Sequence, residues 1–184
     1  MKKFLLLLMT LSVFYSCSKD DNYKDGLPAE TQEGKGTAGC LVNGNVFIPK
    51  GNNQFGPKLS CFYQRDQNGF HLGLSISAKG KNETRSVSVA ANSEALIENT
   101  IYDLVERTLD DTNNYNTNFG QFIINSAHGS SNQFYTTNLN KGELKITKLD
   151  TLQNIISGTF WFDAVNSTGE KTEVRQGRFD MRYN

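Results

Sequence analysis

Few side chains in this chain of 184 residues could carry out chemistry. There are two histidines, His71 and His128, and a Ser-His-Asp hydrolase would need one of them as the base beside an activated serine. His71 alternates with apolar residues in Phe70-His71-Leu72-Gly73-Leu74, so it is expected to face solvent from a strand. His128 lies in Asn125-Ser126-Ala127-His128-Gly129-Ser130-Ser131, which reads as a loop. The sequence holds no GxSxG, HExxH or GxxxxGK[ST] pattern. The carboxylates Asp103, Glu106, Asp110, Asp111, Asp163, Glu173 and Asp180 could pair for glycoside hydrolysis, where their separation in space decides the reaction. Asp110-Asp111 with Asn113 and Asn114 offers oxygen ligands but lacks the spacing and glycine of an EF-hand loop. We therefore expect no catalytic residue, no metal and no cofactor, and read the chain as not an enzyme. A carboxylate-dependent enzyme acting on glycans or peptides is the alternative.

Binding is the other chemistry available. Trp161 is the sole tryptophan. In Thr159-Phe160-Trp161-Phe162-Asp163 the strand period of two sets it on the face opposite Phe160 and Phe162, so it points outward if they point to the core. With Tyr115, Phe134 and Tyr135 it makes a candidate ligand platform for a glycan or an envelope-protein partner. The formal charge is 0, so no nucleic-acid surface is implied.

The first residues address the chain to a compartment. Lys2 and Lys3 precede an apolar run over residues 4–14 that breaks at Tyr15-Ser16-Cys17, the layout of a secretory signal over residues 1–16. The run is too short for a span, which needs roughly 20 apolar residues. Phe14-Tyr15-Ser16-Cys17 resembles the relaxed lipobox of Bacteroidota lipoproteins. That resemblance implies cleavage before Cys17, acylation of Cys17 with palmitate among the chains, and anchoring to the outer membrane. Ser18-Lys19-Asp20-Asp21 resembles the acidic signal that sends some such lipoproteins to the cell surface, with a periplasm-facing position as the alternative. Asp150-Thr151-Leu152 resembles a short O-glycosylation sequon, which makes Thr151 a modification candidate. Loss of Lys2 and Lys3 with the signal takes the formal charge from 0 to −2.

Residues 18–36 are poor in large apolar side chains and rich in Asp, Glu, Lys and Gly, a composition expected to form a flexible tether from Cys17. A single β domain is then expected over residues 37–184. Outside the cytoplasm disulfides persist, and Cys40 and Cys61 both sit in strand-like segments. A bridge between them would close a loop of about 20 residues and contribute roughly 3 kcal/mol in the chain-entropy model. Two separate buried thiols acting as small hydrophobes are the alternative.

The elements that position these residues are short strands. Asn43-Gly44 supplies the two positive φ values of a type I′ turn between residues 40–42 and 45–48. Residues 58–64 and 69–78 form a second pair, and residues 85–91 repeat its alternation. Residues 93–99 are the one place for a short helical turn, with Asn92 or Ser93 as its cap. Residue 101 resumes extended character, residues 107–118 form a polar loop, and strands follow at 120–125, 133–137, 142–149, 155–164 and 177–183. About ten strands with at most one short helix predict an all-β fold, an antiparallel β-sandwich or a barrel-like meander.

The last third also carries a family likeness. The runs Ile146-Thr147-Lys148-Leu149-Asp150, Ile156-Ser157-Gly158-Thr159-Phe160 and Gly177-Arg178-Phe179-Asp180 resemble the C-terminal signature of a Bacteroidota lipoprotein family of unknown function. The resemblance implies no activity. Physically the same runs predict a hairpin of residues 143–148 with 155–164, flanked by Asp150 and Asn154, with Gly158 at a bend or bulge.

Overall fold

The computed structural model describes residues 23–24, 26–51, 56–109 and 115–184. The signal segment, Cys17, Asp110 and Asp111 lie outside the described residues. Among the described residues thirteen strands follow in order: β1 (Tyr23–Lys24), β2 (Leu27–Pro28), β3 (Thr37–Val42), β4 (Asn45–Phe47), β5 (Leu59–Asp66), β6 (Gly69–Lys79) and β7 (Glu83–Asn92). The rest are β8 (Ile101–Leu104), β9 (Phe119–Ser126), β10 (Ser131–Tyr135), β11 (Gly142–Asp150), β12 (Ile155–Val165) and β13 (Lys171–Arg182). β1 and β2 pair with each other, and the other eleven make one sheet of order β4-β3-β13-β12-β10-β9-β7-β6-β5, with β11 added to β12 and β8 to β11. The named strand pairs are all antiparallel.

This sheet curls into a half-barrel around a single core, which meets the expectation of an antiparallel all-β fold. The inward residues of the first half, among them Leu72, Leu74, Ile76, Val87 and Val89, join those of the second, among them Leu144, Ile146, Phe160, Phe162 and Phe179. Aromatic rings bridge the halves, as where Phe47 meets Phe122 edge-on at 6.2 Å. The two ends of the sheet approach through Lys50, which forms a parallel bridge to Ala78, and through the amide of Tyr63, which donates to the carbonyl of Asn184 at 3.4 Å.

The local signals in the sequence produce the expected hairpins. Asn43 and Gly44 have φ of 49° and 77°, as a type I′ turn requires. β11 and β12 pair up to Asp150 and Ile155, with the register shift opposite Gly158 and Ser157. Residues 93–99 form no helix: the amide of Leu96 donates to the hydroxyl of Tyr63 at 2.9 Å and that of Ile97 to the hydroxyl of Tyr102 at 2.7 Å, so side chains rather than a helical turn satisfy this backbone. β13 is an interior strand between β12 and β3, and it starts six residues before the expected strand at 177.

Two expectations are corrected. Cys40 on β3 and Cys61 on β5 are separate buried thiols, and the expected bridge is not formed. Their strands are not neighbours in the sheet, and burial pushes each thiol up to about 12. The tether does not run to residue 36. Leu27 is fully buried, and residues 29–36 lie as a strap against the outer side of β13.

Asp180 holds that strap. It occupies an outward position on β13 yet is only 1% exposed, because the strap covers it. One carboxylate oxygen accepts from Thr31 Oγ1 at 2.6 Å and from the amides of Glu33 at 3.1 Å and Lys35 at 3.2 Å. The other accepts from the amide of Gly34 at 2.6 Å and from Ser157 Oγ at 2.8 Å. Three successive amides converging on one anion form a backbone nest. Gly34 makes the nest feasible, since its φ is +69° and an added Cβ would lie 2.9 Å from Arg182 Cγ. Burial by itself would raise this carboxyl, but the bonds from Thr31, Glu33, Gly34 and Ser157 outweigh it and hold Asp180 below the usual carboxylate range.

Candidate functional site

The N-terminal half of β13 is built differently. Phe160 pairs with Gly177 and Phe162 with Val174, so Arg175 and Gln176 together oppose the single residue Trp161. The same extra residue shifts the register against β3 between Arg175 and Arg178. This is a β-bulge, a device that re-aims side chains and concentrates near functional sites. It turns two consecutive side chains, Arg175 and Gln176, to the outer face. Gln176 takes a left-handed φ of 52°, a conformation that glycine adopts without strain and glutamine does not. Gly177 then returns to the interior, where an added Cβ would sit 2.5 Å from the ring of Phe160.

Trp161 stands over this bulge. Phe160 and Phe162 are buried beneath it, and Trp161 is 38% exposed on the outer face, as its place in the alternation predicts. Its ring is fixed from two sides. Nε1 donates to Glu143 Oε2 at 3.1 Å across β11. The guanidinium carbon of Arg175 lies 5.5 Å from the ring centroid. Arg175 is itself immobilised, since Nη1 donates to the carbonyls of Phe162 and Val174, both at 3.0 Å, and Nη2 donates to Asp163 at 2.5 Å. The result is a rigid, partly exposed indole on a polar outer face.

A groove of about 390 Å³ runs beside the indole. Glu143 and Lys145 reach it from β11, Ile101 from β8, Thr159 from β12, and Gln176 and Arg178 from β13. The strap supplies the opposite wall through Glu30, whose carboxylate lies 3.9 Å from Arg178 Nη1. The strap's hold on Asp180 therefore also places one side of the groove.

The other platform candidates are elsewhere. Phe134 is 3% exposed and packs on Phe122 at 5.8 Å, which corrects its inclusion. Adjacent residues of one strand face opposite sides, so Phe134 turns inward where Tyr135 turns outward. Tyr135 pairs with Val165, four residues along β12 from Trp161 and so roughly 13 Å away at about 3.3 Å per residue. Its ring is covered by Arg107, whose guanidinium carbon is 4.0 Å from the centroid, with Tyr115 at 5.2 Å on the same cation. Tyr115 and Tyr135 thus form a second cluster around Arg107.

Asp163 and Glu173 both contact Arg175, Glu106 accepts from Asn138 at 2.8 Å, Asp103 lies on the outer strand β8 opposite Glu143, and Asp180 is held by the strap. His71 is half-buried rather than open to solvent. Its Nε2 lies 3.0 Å from Asp66 Oδ1 and its Nδ1 3.0 Å from Asn92 Oδ1, whose amide nitrogen donates to the carbonyl of Thr117. The Asn68 amide is the chief influence that lowers the Asp66 carboxyl below its ordinary value. This network ties the turn at residues 66–69 to the segment leading into β9. His128 lies in the turn between β9 and β10, where its amide donates to Ser126 Oγ. Thr151 is exposed in the β11–β12 turn, which Asp150 braces by accepting from the amides of Leu152 and Gln153, both at 3.0 Å.

Sequence reasoning found Trp161 but missed Glu143, Arg175 and Gln176. A signal was present: period two runs through Thr172 and Val174, then resumes at Gly177, Phe179 and Met181 one residue out of phase. No curated protein and no solved structure matches the chain. A family described as Domain of unknown function (DUF6252) matches residues 66–181, a span that contains Trp161, its bulge and Asp180 but not the strap. That match covers more than half of the sequence, and the chain belongs to the DUF6252 family.

Proposed function

We propose that this is a non-catalytic lipoprotein of the outer membrane, displayed at the cell surface, whose β domain binds a ligand or partner through the face around Trp161. The observation that carries the binding part is the coincidence of three features at one point: a bulge, a left-handed Gln176 and an exposed indole held by Glu143 and Arg175. Strain of this kind is retained where the surrounding structure over-determines it, and it clusters at ligand sites. Asp163 and Glu173 are ion-paired to Arg175 and Asp180 is taken up by the strap, which supports a binding rather than a hydrolytic role for this face.

The anchor part rests on the N-terminal residues. A signal over residues 1–16 and an acylated Cys17 account for the apolar run and the small residue before the cysteine. Residues 17–23 would span at most about 25 Å if fully extended, so the body would ride close to the bilayer. Ser18-Lys19-Asp20-Asp21 supports surface display over a periplasm-facing position. Thr151, exposed at its turn, is the O-glycosylation site of this reading.

Growth with labelled palmitate tests the anchor. The label is expected on the full chain and lost from Cys17→Ala, and label that persists in Cys17→Ala contradicts it. Protease treatment of intact cells is expected to remove the domain, and a protected domain contradicts surface display.

A further inference from the structure

Resting on the reading of the Trp161 face as a binding site, we propose that the groove between Trp161 and the strap holds one pyranose ring of a neutral glycan, its C–H face stacked on the indole. The size of the groove fits a small ligand. About 390 Å³ lies in the range of small-molecule pockets. The chemistry of the lining then selects among small ligands. Its exposed apolar groups are Trp161 and Ile101 alone, too few for an extended hydrophobic molecule. Around them stand donors and acceptors on both walls: Glu143 and Lys145 from β11 on one side, Gln176, Arg178 and Glu30 on the other, with Thr159 of β12 between them. A sugar ring combines one apolar face with a rim of hydroxyls, and this lining offers both.

Charge separates neutral from acidic sugars. The groove is lined by two carboxylates, Glu30 and Glu143, and two cations, Lys145 and Arg178, so it carries no net charge. Arg178 already faces Glu30 at 3.9 Å. Glu143 accepts from the indole through Oε2, which leaves its other oxygen for a ligand hydroxyl. An acidic sugar would meet these two carboxylates without an excess of positive charge. Rigidity favours binding as well, because the indole, Arg175 and the strap are held before any ligand arrives.

The single tryptophan makes the test direct, since all tryptophan emission of the chain comes from this site. The chain from residue 18 onward is titrated with neutral oligosaccharides of glucose, xylose and mannose, with uronate and sulfated oligosaccharides, and with solubilised envelope proteins. A saturable emission change with a neutral oligosaccharide is expected. In calorimetry Trp161→Ala is expected to weaken that binding at least tenfold, and Gln176→Gly, which retains the backbone, about threefold. Trp161→Phe is expected to keep part of the affinity, which separates loss of stacking from loss of fold. A change with acidic oligosaccharides alone, or with envelope proteins alone, overturns the glycan proposal and leaves the binding reading standing. No change with any probe overturns both.

Discussion

The two halves of β13 make opposite uses of the same outward row of side chains. Toward its C-terminal end the chain doubles back over the strand, and Asp180 is sealed beneath the strap by five hydrogen bonds. Toward its N-terminal end the strap does not cover the strand, and the bulge raises Arg175 and Gln176 beside an exposed Trp161. A carboxylate in the covered half is structural, because every bond it makes is internal. The open half keeps a strained residue and an unburied indole, neither of which the core requires. Arg178 and Glu30 stand at the border and give the groove one wall from each region.

Changes in the covered half should cost stability, and changes in the open half should cost binding. The largest effect is expected from Asp180→Asn, which places an amide among donors that need an acceptor. It should destabilise the domain by about 2–3 kcal/mol, read by denaturant unfolding, and expose residues 27–36 to protease. Stability within 0.5 kcal/mol of wild type, on the order of an ordinary surface change, would show that the strap does not depend on this carboxylate.

Acid should act in the same direction. The folded-state value of Asp180 lies below the unfolded value of about 3.9. Its contribution is therefore complete above that pH and is lost as pH falls through the lower folded-state value. Wild type should lose stability relative to Asp180→Asn across that window, as measured by melts at successive pH values. Parallel pH profiles would contradict the assignment.

Smaller effects are expected on the open side. Gln176→Gly relieves the left-handed backbone and should stabilise by up to about 1 kcal/mol. A clear loss of stability would mean that the glutamine side chain is structural after all. Trp161→Ala removes the stacking on Arg175 and should change stability by at most about 1 kcal/mol, roughly 2–4 °C in Tm.

What was legible in the sequence was local. Asn43-Gly44 fixes its own turn, the alternation of Leu72, Leu74 and Ile76 fixes the inward face of β6, and Phe160 and Phe162 send Trp161 outward. What was hidden was carried by distant partners. Nothing in residues 31–35 announces that Asp180, some 147 positions away, will gather their amides. The amides of residues 96 and 97 find tyrosine hydroxyls instead of a helical turn. β13 looked short because its bulge shifts the phase of alternation in mid-strand. Cys40 and Cys61 shared a strand-like setting but not a neighbouring strand.

The central claim is that the exposed indole is kept for a ligand and not for the fold. Affinity electrophoresis through gels containing neutral polysaccharide, run on wild type and Trp161→Ala beside their thermal melts, tests it most directly. The account predicts that wild type is retarded and that Trp161→Ala migrates freely while melting within a few degrees of wild type. Equal retardation of both proteins, with intact folds, would contradict it.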